Sequence, residues 1–371
     1  MSARTMSQHA DRVIRHCSPA YSRAAGTRHG DPSIFRAPTV IALACSALAS
    51  AAVLAAPAGG TVTAGSANIS QTGATTTITQ NTNKLAIDWS KFSIQAGETV
   101  NFLQPGAGSI ALNRVTGRES SAILGNLNAN GTVFILNPNG VLFGSSAQVN
   151  VGGLVASTLG LSDADFLAGR YALSGASTAS VVNQGTLMVP PGGKVALIAT
   201  AVSNGGTINA PQGSVLMAGA SAVTLTLVDG SPLGYTISRG AASTLAANGG
   251  LIQADGGHVV LTAKGLDALS EAVVNSSGVV RARTVANKQG TIELIGDPDS
   301  GATAVSGQLD ASAPEVGGIG GAVKVLGAKV GLFDGARVDV SGMAGGGKAL
   351  IGGNSRGAGP EQDASAAYVA S

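Results

Sequence analysis

The segment GGKVALIA (192–199) returns with substitutions as QGSVLMAG (212–219), GGHVVLTA (256–263), QGTIELIG (289–296) and GGAVKVLG (320–327). Each copy is a brief aliphatic run that follows Gly-Gly or Gln-Gly. Shorter units stand between the copies: NQGTL (183–187), NGGTI (204–208) and NGGLI (248–252). Units of roughly two dozen residues, made of short strands and Gly or Asn turns, are typical of the coils of a parallel β-helix. We therefore predict an all-β solenoid.

Residue types agree with this prediction. Small aliphatic side chains fill the narrow interior of such a coil. We expect Gly and Asn to supply left-handed backbone conformations at its corners, where a β-branched residue would be strained. An antiparallel sandwich or barrel remains the alternative, since the same short strands build it too.

Upstream of the repeats, from about Gly59 to Tyr171, the chain alternates apolar and polar residues over short windows, as in TTTITQ (75–80) and KLAIDW (84–89). This pattern predicts short strands separated by turns. Nearly all large aromatic residues of the exported part lie here. We expect this segment to have its own packing and to cap the solenoid.

The first 58 residues have the organisation of an extended signal peptide. An arginine-rich tract precedes the uncharged run Thr39–Ala56, which ends at the small-residue sequence Ala56-Pro57-Ala58. This order predicts cleavage after Ala56, Ala58 or an earlier alanine from about Ala49 onward. A retained membrane anchor is the competing interpretation, because the run is nearly long enough to span a bilayer.

Composition excludes several classes of function. Both cysteines, Cys17 and Cys45, precede the predicted cleavage site, so the mature chain cannot be a disulfide scaffold. The chain carries a formal charge of +2, and its leader holds six arginines against two aspartates. The exported part is therefore slightly acidic, without the basic patch that a nucleic-acid partner requires.

Residues 101–159 read NFLQPGAGSIALNRVTGRESSAILGNLNANGTVFILNPNGVLFGSSAQVNVGGLVASTL. The motif elements are Leu112-Asn113-Arg114-Val115, Asn137-Pro138-Asn139-Gly140 and the run from Val149 to Thr158, with Asn150, Gly152 and Gly153. This stretch resembles the two-partner secretion domain, also called the filamentous haemagglutinin N-terminal or haemagglutination activity domain. The resemblance extends more faintly over residues 60 to 300.

The resemblance implies a right-handed parallel β-helix with an N-terminal capping region. It further implies export by the general secretory machinery and then by a dedicated outer-membrane transporter of a Gram-negative cell, whose periplasmic domains recognise the chain. The expected product is a secreted or cell-surface adhesin that contacts host or bacterial surfaces. The expected domains are a signal peptide (1–58), the secretion domain (59–300) and further coils (301–371). A second motif of many members, Asn-Pro-Asn-Leu, is missing, which leaves the transporter subgroup open.

The four residues Asn137 to Gly140 form a turn, because Pro138 presets φ while Asn139 and Gly140 tolerate positive φ between two apolar runs. Two roles are compatible with this turn: it determines the fold, or it contacts the transporter directly. Arg114 is expected to pair with Glu119 or to lie along the surface. Four nearby asparagines either stack their amides in an internal ladder or occupy ordinary turns: Asn113, Asn126, Asn128 and Asn130.

An enzyme and an autotransporter passenger are the competing hypotheses. Secreted β-helices include polysaccharide-acting enzymes, which need clustered carboxylates. The close acidic pairs, Asp163 with Asp165 and Asp297 with Asp299, read as solvated loops, and His258 has no second metal-ligating residue beside it. An autotransporter would end in a membrane barrel, whereas the chain ends in Gly- and Ala-rich sequence. We predict no catalysis, no cofactor and no metal.

Overall fold

The computed structural model describes residues 57–228, 230–286 and 288–370, all within one unit, Ala52–Ser371. The predicted signal peptide therefore lies outside the described residues except for Pro57 and Ala58. In the described part, no helix has the length and hydropathy needed to cross a bilayer.

The chain winds through three long sheets. Sheet 1 contains, in spatial order, β1 (Thr61–Ala64), β4 (Lys84–Trp89), β6 (Ile110–Val115), β9 (Thr132–Leu136), β12 (Gly153–Ser157), β16 (Lys194–Ala199), β19 (Ser214–Gly219), β24 (His258–Ala263), β27 (Thr291–Ile295), β30 (Ala322–Leu326) and β33 (Lys348–Ile351).

Sheet 2 contains β7 (Ser121–Ile123), β10 (Val141–Phe143), β14 (Ser180–Asn183), β17 (Ala201–Asn204), β22 (Ser243–Asn248), β25 (Glu271–Ser276), β28 (Ala302–Val305), β31 (Lys329–Leu332) and β34 (Ala366–Val369). Sheet 3 contains β2 (Ala67–Thr72), β3 (Thr75–Gln80), β5 (Thr99–Leu103), β8 (Asn126–Ala129), β11 (Gln148–Asn150), β15 (Thr186–Met188), β18 (Thr207–Asn209), β23 (Leu251–Gln253), β26 (Val279–Arg281), β29 (Gln308–Asp310) and β32 (Arg337–Asp339).

A coil takes one strand from each sheet, as β16, β17 and β18 do, and each strand pairs in parallel with its counterpart one coil later. The predicted repeat stacks in register, since Lys194 of β16 pairs with Ser214 of β19, and Ser214 with His258 of β24. The prediction of a parallel β-helix is confirmed, and this parallel register rules out the antiparallel sandwich and barrel.

The predicted capping region is present but shorter than expected. β1 runs antiparallel to β4, and β2 runs antiparallel to β3, whereas β3 and β4 already pair in parallel with the next coil. The aromatic segment after β4 therefore belongs to the solenoid itself. Four aromatics of β4 and this segment lie in the interior: Trp89, Phe92, Phe102 and Phe143. Strand periodicity turns Trp89, Phe102 and Phe143 inward, whereas Phe92 lies between β4 and β5.

Glycines of successive coils are stacked at the corners that precede the strands of sheets 1 and 3. The sequence did not show why glycine is needed there. Gly213, Gly250 and Gly257 do not have φ in the left-handed region, so the expectation of positive φ is wrong for them, whereas it is confirmed at Gly192 (φ 82°) and Gly256 (φ 71°). An added Cβ on Gly257 would lie 2.2 Å from the carbonyl oxygen of Gly213. One on Gly250 would lie 2.1 Å from that of Gly206. Glycine is required here because successive coils approach each other closely.

A fourth, antiparallel sheet lies outside the solenoid. It consists of β13 (Tyr171–Ser174), β20 (Ala222–Thr226) and β21 (Gly234–Arg239). The helix α1 (Asp163–Leu167) precedes β13, and a short 3-10 turn (Ser355–Gly357) lies near the C-terminal end. The extra-helical sheet and α1 cover part of the outer face of sheet 1. The strands β9, β12, β16 and β19 are therefore buried on both faces.

Candidate functional site

The motif segment 101–159 forms the first coils of the β-helix. It runs from β5 to β12, so its parts come together by stacking. β6, β9 and β12 are neighbours in sheet 1, and the Asn137 turn connects β9 of sheet 1 with β10 of sheet 2. The motif residues therefore lie on adjacent coils at the N-terminal end, although their side chains face different environments.

The Asn137 side chain is completely buried and organises the corner between sheets 1 and 2. Its amide nitrogen donates to the backbone oxygen of Glu119 at 2.9 Å and to the Ser121 hydroxyl at 3.0 Å. Its amide oxygen accepts from the backbone N–H of Asn139 at 2.9 Å. These bonds join this corner to the coil beneath it, so Asn137 has a structural role.

The other three residues complete a tight turn. The N–H of Gly140 donates to the Asn137 carbonyl at 3.0 Å. Gly140 has a φ of 109°, while Asn139 does not share this conformation, so the prediction of positive φ holds for Gly140 alone. Pro138 and Asn139 are exposed. The Asn139 amide also donates to the Gly117 carbonyl at 2.9 Å, and the Pro138 carbonyl accepts from the Ser177 hydroxyl at 2.6 Å.

The residues of β6 point alternately to the two faces of sheet 1. Leu112 faces outward into the extra-helical core, and Val115 faces the interior. Asn113 is fully buried. It accepts from the Trp89 indole N–H at 3.0 Å and donates to the Phe134 carbonyl at 3.1 Å. Asn113 therefore satisfies polar groups on both neighbouring coils, which explains an amide in the interior.

Arg114 is a half-buried ion-pair centre rather than a free surface cation. Its guanidinium contacts Asp88 at 2.6 Å and Asp163 at 2.8 Å. The predicted pairing with Glu119 is wrong, because Glu119 contacts Lys91 at 2.9 Å. Burial disfavours the charged guanidinium, but the hydrogen bond and charge of Asp163 together with Asp88 raise the pKa of Arg114 above its usual value.

The third motif element supplies close contacts and one exposed amide. An added Cβ on Gly152 would lie 2.9 Å from the backbone oxygen of Asn130, and one on Gly153 would lie 2.8 Å from the Thr132 hydroxyl. Both glycines thus allow this coil to approach the preceding one. Asn150 is exposed on sheet 3 and stacks in register on Asn128.

The proposed internal ladder of Asn113, Asn126, Asn128 and Asn130 does not form. Asn128 instead donates to Asn101 on the preceding coil at 2.9 Å. A buried amide ladder exists further along, in the shorter repeat units. Asn183 donates to Asn204 at 2.7 Å, and Asn204 donates to Asn248 at 2.8 Å. The sequence signal for this ladder was the asparagine that begins each of the shorter repeat units.

Lys84 and the aromatic residues around α1 were not anticipated from the sequence. The Lys84 ammonium donates to the carbonyls of Phe166 and Leu167 at 3.1 and 2.8 Å, at the C-terminal end of α1. It lies 5.9 Å from the ring centroids of Phe166 and Tyr171. Asp163 at the other end of α1 pairs with Arg114. Two cations from the first coils therefore hold both ends of the helix.

A signal for this covering layer was present in the sequence. The runs VFIL (133–136) and VALIA (195–199) are apolar at every position. Such runs indicate strands buried on both faces, whereas alternation indicates one wet face.

The acidic residues weighed as catalytic groups have structural partners. Asp163 and Asp165 lie in α1, and Asp165 pairs with Arg170 at 2.7 Å. Asp297 is buried and accepts from the N–H groups of Asp299 and Ser300 at 2.9 and 3.1 Å. The expectation of solvated loops is therefore wrong for α1 and for Asp297.

His258 contacts Glu293 at 3.2 Å, and Lys324 contacts the same carboxylate at 3.1 Å. The His258 hydrogen bond opposes the cost of burial, and with Lys324 it lowers the pKa of Glu293 to about 2. Over residues 57–228, 230–286 and 288–370, no three His, Cys, Asp or Glu side chains are arranged to share a metal ion.

Comparison with known proteins gives a consistent result. The family model described as the TPS secretion domain matches residues 54–311. The crystal structure of the HMW1 secretion domain from Haemophilus influenzae superposes with a TM-score of 0.71 at 29% identity, over 85% of this chain and 82% of that one.

Two curated relatives from Haemophilus influenzae, each named heme/hemopexin-binding protein, match shorter segments. One is 48% identical over 102 residues, which is 28% of this chain and 11% of that protein. The other is 46% identical over 82 residues, 22% of this chain and 9% of that protein. The matched segments thus span about a tenth of the length of these relatives.

Proposed function

The chain belongs to the family of TPS secretion domains. We propose that its outer-membrane transporter recognises the corner formed by Asn137 to Gly140 in the first coils. The chain is a secretion-directing N-terminal domain of the kind found in HMW1-like and filamentous-haemagglutinin-like exoproteins. Domains of this family are recognised by an outer-membrane transporter and direct export out of the cell. Secretion domains of adhesin-like exoproteins are in general not enzymes.

The different burial of the turn residues supports this proposal. Asn137 is completely buried and its amide bonds to Glu119, Ser121 and Asn139, so it acts by setting the conformation of the corner. Pro138 and Asn139 are exposed, while the Asn139 amide nitrogen also donates to the Gly117 carbonyl and to the Asn137 amide oxygen at 2.9 and 3.1 Å. The transporter's periplasmic domains would contact these two residues. The burial of Asn137 beneath an exposed Pro138-Asn139 edge is the observation on which the proposal rests.

A secretion assay in a Gram-negative host that expresses the cognate transporter tests the proposal. The variants are Asn139→Ala at the exposed edge and Asn137→Ala at the buried amide, each compared with wild type in medium and periplasm. The stability of each purified variant is measured by urea unfolding. We expect Asn139→Ala to lower secretion while leaving stability within about 1 kcal/mol of wild type.

The matched control is Asn183→Ala, which removes a buried amide of the inner ladder outside the motif. If Asn183→Ala and Asn137→Ala lose equal stability and equal secretion, while Asn139→Ala is secreted normally, the turn acts only through the fold. Release of wild type from cells without the transporter would contradict export by this route altogether.

The extent and processing of the domain are also part of the proposal. The domain would comprise residues 59–300, followed by further coils over residues 301–371. Ala58 forms backbone hydrogen bonds with Lys91 at 2.8 and 3.2 Å, which favours removal of the signal peptide upstream of Pro57. Mass spectrometry of the secreted protein would give the mature N-terminus.

The activity of the whole protein remains a separate proposal. We propose that the exported product is a surface adhesin that contacts host or bacterial surfaces through residues other than the motif turn. The names of the Haemophilus relatives describe binding of heme and hemopexin, but the matched segment is about a tenth of those proteins.

A further inference from the structure

The extra-helical sheet is assembled from two insertions that are distant in sequence. α1 and β13 lie between β12 and β14, whereas β20 and β21 lie between β19 and β22. β13 pairs antiparallel with β20, with Tyr171 opposite Leu225 and Leu173 opposite Val223. One coil is therefore tied to another through strands that do not belong to the solenoid.

The inner face of this sheet forms a second hydrophobic core on sheet 1. Phe134 of β9 packs against Tyr171 and Phe166, with ring centroids 5.5 and 6.3 Å apart. This extra-helical core extends from Ala86 in the first coil to Val260 in β24, and its buried members include Leu112, Val155, Ile198, Leu216, Val223 and Leu225. It bridges most of the N-terminal coils along one face.

β13 has few local partners. Its four residues pair with β20, and on the other edge Ser174 bridges Gly160. A strand this short is not stable without a neighbour and a covered face. The Lys84 and Arg114 contacts hold α1 on the first coils, and the apolar face of β13 packs on sheet 1, but a hydrogen-bonding edge of β13 is paired along its whole length only when β20 is in place.

We propose that the extra-helical sheet is a folding clasp: the first coils become kinetically stable only when β20 pairs with β13, and they open only after this pairing breaks. The clasp contacts the first coil directly, since the Lys84 ammonium of β4 lies 5.9 Å from the ring centroid of Tyr171 in β13, and Ala86 belongs to the same hydrophobic core. Unfolding of the first coil is thereby limited by an event more than a hundred residues away in sequence.

A reversible cross-link tests the clasp. Ala172 and Thr224 are exposed and directly opposite in the β13–β20 pair, a placement that suits a disulfide. The variant is Ala172→Cys/Thr224→Cys in the full chain, with Cys17→Ser and Cys45→Ser in every protein compared. Trp89, the single tryptophan, is buried in the first coil, so its fluorescence reports when that coil opens in denaturant.

We expect oxidation to slow the exposure of Trp89 roughly ten-fold or more, and reduction to restore the wild-type rate. The matched control is Thr207→Cys/Leu251→Cys, which joins neighbouring coils on the outer face of sheet 3 and closes a loop of comparable length. This control cross-link should change the rate less than about three-fold.

Equal slowing by both cross-links would overturn the clasp, because a general constraint on the chain would then account for the effect. No slowing by the clasp cross-link would also overturn it. Both readouts concern the purified protein, so they are independent of whether the transporter recognises the Asn137 turn.

Discussion

The neighbouring residues Gly249 and Gly250 follow the buried Asn248 but meet different surroundings. An added Cβ on Gly250 would lie 2.1 Å from the carbonyl oxygen of Gly206, whereas one on Gly249 would find its nearest neighbour, the Ser277 hydroxyl, at 3.6 Å. Glycine is therefore required at the second position and only tolerated at the first.

This contrast gives a matched pair of substitutions. Gly250→Ala should lower the free energy of unfolding by about 1–3 kcal/mol, because the backbones of two coils must separate. Gly249→Ala should be neutral or stabilise by about 0.4–1 kcal/mol, since the unfolded chain loses freedom. Urea unfolding of both variants measures the difference, and equal effects would contradict the close-approach explanation.

Glu293 makes stability depend on pH. Its folded pKa, about 2, lies below its ordinary value of 4.5 because of the His258 hydrogen bond and Lys324, against the cost of burial. The ionised carboxylate therefore stabilises the fold above about pH 4.5, and this contribution is lost as the pH falls from 4.5 towards 2.

We expect Glu293→Gln to lower the free energy of unfolding by about 1–2 kcal/mol at neutral pH, less than the full conversion of the pKa shift because water screens the group. Unfolding curves between pH 7 and pH 2.5 test this. The difference between wild type and variant should shrink as the pH falls; a difference that stays constant would assign it to packing.

The amide ladder of Asn183, Asn204 and Asn248 ends at a mismatched neighbour. Ser276 stands in register with Asn248 on the next coil, and its buried hydroxyl has no hydrogen-bond partner. The ladder thus ends at Asn248, and the next coil carries a smaller polar side chain in the same register.

Ser276→Asn should therefore add one rung and raise the free energy of unfolding by about 1 kcal/mol. Asn204→Ala is the opposite test, because it removes the middle rung and leaves two buried amides short of a partner, at a cost of about 1–3 kcal/mol. Thermal unfolding of both variants gives the sign. Destabilisation by Ser276→Asn would show that the corner has no room for the larger amide.

The two ends of the described solenoid are stabilised by different contacts. The extra-helical core reaches Val260 and no further. Beyond it the outer face of sheet 1 carries the half-buried ion pairs of Glu293 with His258 and Lys324. In a structure built of stacked repeats, stability is a sum of local and nearest-neighbour terms.

Hydrogen exchange should therefore be slower for backbone amides of β6 to β24 than for those of β28 to β34. Exchange measured by mass spectrometry on the intact protein would test this, with peptides from sheets 2 and 3 compared separately because the extra-helical core does not include their strands. Uniform protection along the solenoid would contradict the prediction.

Patterns that repeat along the chain were sufficient to predict the solenoid. The segments 192–199, 212–219 and 256–263 became stacked strands in register, because parallel coils place equivalent residues above one another. The sequence motif from Asn137 to Gly140 likewise predicted its turn. Such features are set by local periodicity and turn chemistry, which a sequence displays directly.

Other features depend on which residues meet across coils. The sequence alone did not show that Arg114 pairs with Asp163, that Lys84 holds the end of α1, or that β13 pairs with β20. For Gly250 and Gly257 it also suggested the wrong reason, since glycine is needed there because of the carbonyl of the coil beneath, whereas the expected positive φ does occur at Gly192 and Gly256. Contacts between insertions and coils far apart in the chain have no fixed spacing, so only the tertiary structure decides them.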